Sequence, residues 1–502
     1  MMMKQQFRAA ALICLCFTVA SSFVTFDHGQ RITSHLGATE EEVDLCIIGG
    51  GISGLSAAIT AASTKRNASI TLLESSSNIG GRVRSDYTSD GYILDRGFAV
   101  FIEEYPMSQV LLDYNALGLR QFLPGARVKL CNDAKLAAVS DPLRRRRDIW
   151  KAVSSPVGSF NDKLRLAPLF YTVVTKSIEE LFDMDEVDTL SCLRGYGFSE
   201  EFIQSFFAPF LEGIYLTPLD KQSSRMFHFV FKMFTLGSAS LPKGGMQTVA
   251  NQLGDKARSL GVDICCDASV CSIQQKDGKF AVDINKASGT AKRRAKSVVM
   301  ATNERVANQL LSSFIETTTA PPLTQRTVAC LYYAFPSPDP LLEPILILNG
   351  EGSTKRNARN HPINNVCFPS VVQSSYAPNG HELCSVSVLE KALSEYNGDY
   401  EALDIDVRKQ LASWFPEHAS NILDTSIWVQ KEIYVIEDAQ PIHFNEENCA
   451  NVNGGRDCTI FRGEQLPDGM YVCGDYMATS TLNGALESGV NAGNAAAKHL
   501  NK

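Results

Sequence analysis

Two rhythms of apolar and polar positions run along this chain. Val43-Asp44-Leu45-Cys46-Ile47-Ile48 is a short apolar run closed by glycines, which predicts a strand. Small and apolar residues fill Leu55 to Ala62, predicting a closely packed helix, and Ser69 to Leu73 reads as a second strand. From about 130 to 240 the helical period takes over. Between Asp162 and Phe182 the apolar positions Leu164, Leu166, Leu169, Phe170, Val173 and Val174 form a broad helical face. Ser199 is placed to cap a helix through Phe202, Phe206, Phe207 and Leu211, with Gly213 ending it, and Met226 to Phe234 is apolar on nearly every side. Residues 321 to 445 read as strands, among them Val328–Ala334, Asn365–Phe368 and Glu382–Leu389. Turns are expected at Pro336-Ser337-Pro338 and Pro378-Asn379-Gly380. The alternation Leu383-Cys384-Ser385-Val386-Ser387-Val388 suits a sheet with one buried face. A last strand, Met470–Cys473, precedes a C-terminal helix that begins near Gly484.

The glycines after Ile48 carry the first chemistry. Gly49-Gly50-Gly51-Ile52-Ser53-Gly54 sits between strand and helix, and the second strand ends at Glu74, twenty residues after Gly54. Gly49 permits the tight turn, Gly51 lets the backbone approach a pyrophosphate, and Gly54 lets helix and strand pack closely. The helix N-terminus presents free N–H groups and a positive dipole end to the phosphates, and Glu74 is placed for ribose hydroxyls. A Gly-rich turn alone is common; with strand, helix and acid in register it reads as a dinucleotide site.

Gly80-Gly81-Arg82 resembles the second FAD signature of the flavin-containing amine oxidase superfamily, in its protoporphyrinogen oxidase and carotenoid desaturase-isomerase branch. Asp95-Arg96-Gly97 resembles the superfamily's turn near the flavin ring, and Gly474-Asp475 followed by Leu482 to Gly489 resembles its closing motif. Val270 lies on a strand like the one whose backbone contacts the adenine, Val298 to Thr302 on one like the strand leading back to the cofactor. The resemblance implies FAD, held non-covalently. It makes Arg82 a charge-assisted contact to the pyrophosphate, Asp475 an acceptor from the ribityl chain, and the helix at Gly484-Ala485 a dipole aimed at the flavin N1/C2 edge. The candidate cofactor-binding residues are Gly49, Gly51, Ser53, Gly54, Glu74, Gly80, Gly81, Arg82, Gly97, Val270, Gly474, Asp475, Gly484 and Ala485; no catalytic residue is nominated. The implied fold is α/β: a discontinuous Rossmann-type FAD-binding domain (41–130, 241–320 and 451–502) with an α+β substrate domain, helical over 131–240 and β-rich over 321–450. Leu241-Pro242-Lys243-Gly244-Gly245-Met246 marks the return to the FAD domain, and Lys243 there reads as solvated.

Composition narrows the partners. With 502 residues, 44% of them hydrophobic, and a net charge of −8, the chain can bury large cores and has no excess of base to hold nucleic acid. Arg144-Arg145-Arg146-Arg147 reads as a solvated turn, with contact to anionic lipid headgroups as the alternative. Fourteen cysteines without a CxxC pair read as free thiols, and eight histidines without metal-ligand spacing predict no metal site; His228 reads as a packed core residue. Cys449, Cys458 and Cys473 lack the context for a covalent flavin link. Lys4 and Arg8 flank an apolar run from Ala9 to Ala20, which predicts a signal peptide over 1–22 and entry to the secretory pathway. Ala20-Ser21-Ser22-Phe23 resembles the junction of algal bipartite plastid presequences, so 23–40 reads as a transit-like or linker segment. A plastid is favoured over a secreted or lumenal destination.

The expected reaction is hydride transfer between flavin N5 and a small apolar substrate, an isoprenoid (carotenoid desaturation or isomerisation first) or a tetrapyrrole. An amine is the alternative substrate. It is placed second because Tyr476 is the only aromatic beside the Gly-Asp motif, where amine oxidases display an aromatic cage. A binding protein on the same fold, such as a guanine-nucleotide dissociation inhibitor, would not keep these FAD signatures intact.

Overall fold

The strand Glu40–Ile48 lies between two parallel neighbours, with Ile48 opposite Leu73 on one side and Met300 on the other. Asp263–Cys265 extends the sheet beyond Ile70–Leu73, and Met470–Val472 extends it beyond Gly289–Met300, again in parallel. Leu45, Ile47 and Cys46 are fully buried because helices and a meander cover both faces, so the strand reads as continuously apolar. Gly289–Met300 is long enough to serve twice. Along one edge its first half pairs antiparallel with Lys279–Lys286, itself paired with Ser269–Lys276, and its last residues pair in parallel with Met470–Val472; along the other edge it runs parallel to Glu40–Ile48 from Lys292 to Met300.

This is a computed structural model, and it describes residues 40–98, 100–131, 135–140, 154–287, 289–315, 326–336, 343–352, 355–427, 430–441 and 457–501. The signal and transit-like expectations (apart from Glu40, which opens the first strand), the Arg144–Arg147 run, Cys449 and the Ser337-Pro338 part of the first expected turn lie outside them.

Helix Ile52–Thr64 and the C-terminal helix Leu482–His499 pack side by side. Small residues allow it: a β-carbon on Gly489 would run into Ser56 Oγ and the Ser53 carbonyl, and Ser56 Oγ also donates to the Leu486 carbonyl at 3.1 Å. The two ends of the chain thus build one domain.

A second seven-stranded sheet runs in the order Gln430–Ile436, Val328–Pro336, His381–Leu389, Ile363–Cys367, Leu346–Gly350, Gly125–Leu130, Ala137–Ser140. Gly125–Leu130 therefore belongs with this second sheet and not with the parallel one, although the sequence placed it in the first FAD segment. The single buried face expected for this sheet is also corrected. Helix Tyr400–Trp414, hidden in a stretch that reads as strands, covers Cys384, Val386 and Val388; Leu383, Ser385 and Ser387 are buried on the opposite face.

The helical segment holds Phe160–Thr175, Ile178–Phe182, Thr189–Gly195, Glu200–Phe202, Ala208–Tyr215 and Ser224–Leu236. Ser199 caps as expected, its Oγ accepting from Phe202 N at 3.2 Å. The helix then passes a π turn at Ile203–Phe207 and ends at Leu216, left-handed with φ 54°, three residues beyond the expected stop at Gly213. Phe202, Phe207, Phe227 and Phe229 are buried against one another, so these phenylalanines are core. On Phe160–Thr175 only Leu169 and Val173 of the expected apolar face are buried; Leu164 and Val174 point to solvent. No helix among the described residues is long and apolar enough to cross a membrane.

Candidate active site

Three glycine-bearing segments converge at the carboxyl ends of the parallel strands. Gly49 has φ 110°, and a β-carbon there would lie 2.6 Å from the Ala301 carbonyl, so the turn admits glycine alone. Gly51 caps helix Ile52–Thr64 without any side-chain acceptor, no acid occupies the first turn, and the space where its β-carbon would stand is open. Gly80 N donates to the Gly50 carbonyl at 2.9 Å, and Gly81 faces Gly51, so the second glycine pair borders that open space. Gly54 sits against the Gly49 carbonyl, and Ser53 is buried beneath the turn. An uncapped helix start beside two side-chain-free loops is what a pyrophosphate requires.

Glu74 is 8% exposed and already engaged: Oε2 accepts from Gly50 N at 2.7 Å, and Oε1 from Ser76 N and Oγ at 2.8 Å each. Its carboxylate thus shapes the turn, with lone pairs left for ribose hydroxyls. Ala268 N donates to the Glu74 carbonyl, which brings the strand bearing Val270 to the same corner.

Arg82 turns to the far end of the chain. Its Nη2 pairs with Asp475 Oδ1 at 2.7 Å, and its Nη1 donates to the Ala439 carbonyl at 3.0 Å. Asp475 is 7% exposed and follows Gly474, whose N–H donates to Ser488 Oγ on the C-terminal helix. That helix starts at Leu482 behind the cap Thr481, two residues before the expected Gly484. Gly484 N donates to Thr481 Oγ1 and Ala485 N to the Thr481 carbonyl, so neither amide is free for the flavin, a correction to their expected role. The dipole end is presented by Leu482 and Asn483 instead. Gly484 is needed for packing, since a β-carbon there would meet Thr479.

Asp95 is the residue whose importance the sequence understated. Fully enclosed, it accepts from Ser85 Oγ at 2.5 Å, from Met246 N at 2.9 Å and from Tyr376 OH at 2.8 Å, while Tyr332 OH donates to its carbonyl at 2.9 Å. Burial raises its pKa above the usual carboxylate range, opposed by the Ser85, Met246 and Tyr376 hydrogen bonds. One carboxyl therefore ties the strand after the second glycine motif, the Gly-Gly-Met return and the second sheet together. It holds Gly97 beside Ile436, 2.8 Å from where a β-carbon would be.

The inner face of the second sheet stands over this locus. Across neighbouring strands Cys330 faces Ser387, and Ser387 faces Asn365. Helix Ala208–Tyr215 closes the other side, with Gly213 against the side chains of Asn364 and Asn365. Leu482, at the start of the C-terminal helix, packs into the phenylalanine-rich cluster. Tyr476 points away. It is 3% exposed and packs edge-on to Phe461 inside the FAD domain, with centroids 6.4 Å apart.

The match to known sequences agrees in extent with this geometry, running over residues 52–497 against the flavin-containing amine oxidoreductase family. The chain belongs to that family. As a member it is an FAD-dependent oxidoreductase, and the glycine cradle fits the cofactor. No curated protein matches the chain in sequence. Among solved structures, an Exiguobacterium protein named as a protoporphyrinogen oxidase superposes with TM-score 0.65 at 17% identity, covering 93% of this chain and 100% of its own. A putrescine oxidase bound to putrescine gives 0.60 at 16%, covering 90% and 98%. Cyclohexylamine oxidase from Brevibacterium oxydans gives 0.60 at 15%, covering 92% and 100%. At such identities the likeness is one of fold.

Other expectations concern groups outside the site. Lys243 is exposed. His228 is 2% exposed in the helical core, 2.9 Å from Tyr196 OH, and burial lowers its pKa to about 4. The described cysteines are free thiols. Burial raises the pKa of Cys458 to about 11 and that of Cys473 further. No cluster that could hold a metal occurs among the described residues.

Proposed function

We propose that this oxidoreductase transfers hydride between flavin N5 and carbon of a small apolar substrate, an isoprenoid or tetrapyrrole, with carotenoid desaturation (net removal of hydride) or isomerisation (hydride removed and returned) the first reaction to test. FAD, when bound, supplies the hydride acceptor. The surrounding side chains orient the substrate and exclude water between the sheet's inner face and helix Ala208–Tyr215.

The observation that carries this reading is the position of Tyr476. The one aromatic beside the Gly-Asp motif is sealed in the FAD domain against Phe461, and the residue that opens the C-terminal helix is Leu482. A leucine offers apolar contact and no π face for an amine nitrogen. Amines remain the second reading, since the fold is shared with putrescine and cyclohexylamine oxidases as well as with the protein named as a protoporphyrinogen oxidase.

The test is anaerobic titration of the holoenzyme with a carotenoid, a porphyrinogen and a primary amine, following the flavin absorption bands. Bleaching by carotenoid or porphyrinogen supports the proposal. Bleaching by the amine alone overturns it.

A further inference from the structure

Of the cysteines among the described residues, Cys131 and Cys271 are the exposed ones. Burial takes the others out of thiolate chemistry, raising the pKa of Cys46 and Cys192 to about 12 and that of Cys330 to about 11. The two exposed thiols differ in the direction of their hydrogen bonds. Cys271 Sγ donates to the Asp283 carbonyl at 3.4 Å, a bond that needs the proton on sulfur. At Cys131 the sulfur accepts, from the Lys355 ammonium at 3.0 Å. A cation against sulfur favours the thiolate, which is the nucleophilic form. In turn the Cys131 sulfur raises the pKa of Lys355, with Glu351 adding a smaller pull.

Neighbouring strands bring the pair together. Leu130, which ends Gly125–Leu130, faces Gly350, which ends Leu346–Gly350, and the chain beyond each strand delivers one member. The turn that carries Lys355 is fixed from within: Lys355 N and Arg356 N donate to the Gly352 carbonyl at 3.2 and 2.9 Å. Arg356, the next residue, is 4% exposed. Its Nη1 donates to the Gln204 carbonyl at 2.6 Å, and its Nη2 pairs with Glu212 Oε2 at 3.2 Å on helix Ala208–Tyr215. A solvated lysine drifting past a surface thiol would need no such anchoring. Here the backbone behind the ammonium is tied to the core, and nitrogen and sulfur stand at near-attack distance.

We infer that Cys131 and Lys355 form a modification site for hydroperoxides, which closes a reversible sulfur–nitrogen bond between them. The Cys131 thiolate attacks one peroxide oxygen. The S–O bond forms, the O–O bond breaks, and the leaving hydroxide takes a proton from the Lys355 ammonium to become water. Sulfur is oxidised to sulfenic acid by the electron pair that the peroxide gains. The same step leaves Lys355 as a free amine beside an electrophilic sulfur. Its nitrogen attacks, the S–N bond forms, the S–O bond breaks, and the sulfenic oxygen departs as a second water. Thiol, amine and hydrogen peroxide thus become a sulfenamide and two waters. The new bond fastens the end of strand Gly125–Leu130 to the turn whose Arg356 holds helix Ala208–Tyr215.

The experiment uses the holoenzyme freed of reductant, hydrogen peroxide as the oxidant and peptide mass spectrometry as the readout. The expected product is a linked pair of peptides containing Cys131 and Lys355, lighter than their sum by two hydrogens and separated by dithiothreitol. In labelling with iodoacetamide at neutral pH, Cys131 should react about tenfold faster than Cys271. Lys355→Met should bring Cys131 down to the Cys271 rate and leave Cys271 itself unchanged. Lys355→Arg keeps the cation and removes the nucleophilic amine, so labelling should stay fast while oxidation stops at sulfenic acid, trapped by dimedone. FAD content and melting temperature verify folding. If a variant does not hold FAD, the wild-type product and the ratio of Cys131 to Cys271 labelling still decide the matter. Equal labelling of the two thiols, a Cys131 rate that a folded Lys355→Met leaves unchanged, or wild-type oxidation that ends at sulfenic acid or a disulfide overturns the inference.

Discussion

Arg82 Nη2 stands 2.7 Å from Asp475 Oδ1, joining the second glycine motif to the closing motif across 393 positions. The Arg82 side chain is 40% exposed and that of Asp475 9%, so the carboxylate is the sheltered partner. The pair ties the two motif segments together and gives Arg82 a carboxylate partner in addition to the pyrophosphate contact its motif implies. Asp475→Ala leaves the arginine without that acid and removes the acceptor that the motif's resemblance assigns to the ribityl chain. We expect FAD affinity to fall about tenfold, some 1.4 kcal/mol, measured from flavin fluorescence on dilution. Retention of wild-type affinity would show that the pair is incidental.

Gly489 tests the contact between the two ends of the chain. Gly489→Ala drives a methyl into Ser56 and Ser53, and overpacking of this kind costs about 1–3 kcal/mol. Gly195→Ala, at a helical position with open space around it, should be neutral or gain up to about 1 kcal/mol from helix propensity. Urea unfolding of the two variants gives the comparison, and equal stabilities would contradict the close crossing.

His228 predicts an acid sensitivity that has nothing to do with catalysis. Its folded-state pKa lies near 4, below the ordinary 6.5, because burial penalises the imidazolium. The unfolded chain therefore takes up a proton first as pH falls. The stability conferred by neutral His228 is fully present above about 6.5 and lost as pH drops toward 4. His228→Gln should show a flatter stability profile over that window than the wild type; identical profiles would refute the assignment.

Tyr476→Phe separates a core tyrosine from a substrate-facing one. The phenol oxygen is buried and has no hydrogen-bond partner. Deleting it should raise stability by up to about 1 kcal/mol, relieving an unsatisfied polar group, and leave the rate of flavin reduction as it was. A large drop in that rate with folding intact would restore an aromatic role beside the flavin.

How far the sequence reaches is clearest at the two ends of the site. Gly49, Gly51, Gly54 and Glu74 lie within one strand–turn–helix–strand unit, so local spacing suffices to place them. Gly484 was nominated by the same kind of spacing, and there the reasoning overreached: a capping threonine three residues earlier had already taken its amide. Helix Tyr400–Trp414 was read through because Leu403, Val407 and Leu411 are spread among charged residues that tertiary packing buries. Asp404 and Arg408 are among them, paired at 3.1 Å.

By itself the sequence determined the glycine turns, the strand and helix they join, and the family to which they belong. Those features depend on backbone conformations and close approaches that only certain residues tolerate. The tertiary structure alone decided which distant groups share a volume. Arg82 with Asp475, Asp95 with Tyr376, and Cys131 with Lys355 meet because sheets and helices bring them together, and no local pattern encodes such a meeting. The direction of Tyr476 belongs to the same class: a residue beside the closing motif turns toward the flavin or away from it according to what packs behind, here Phe461.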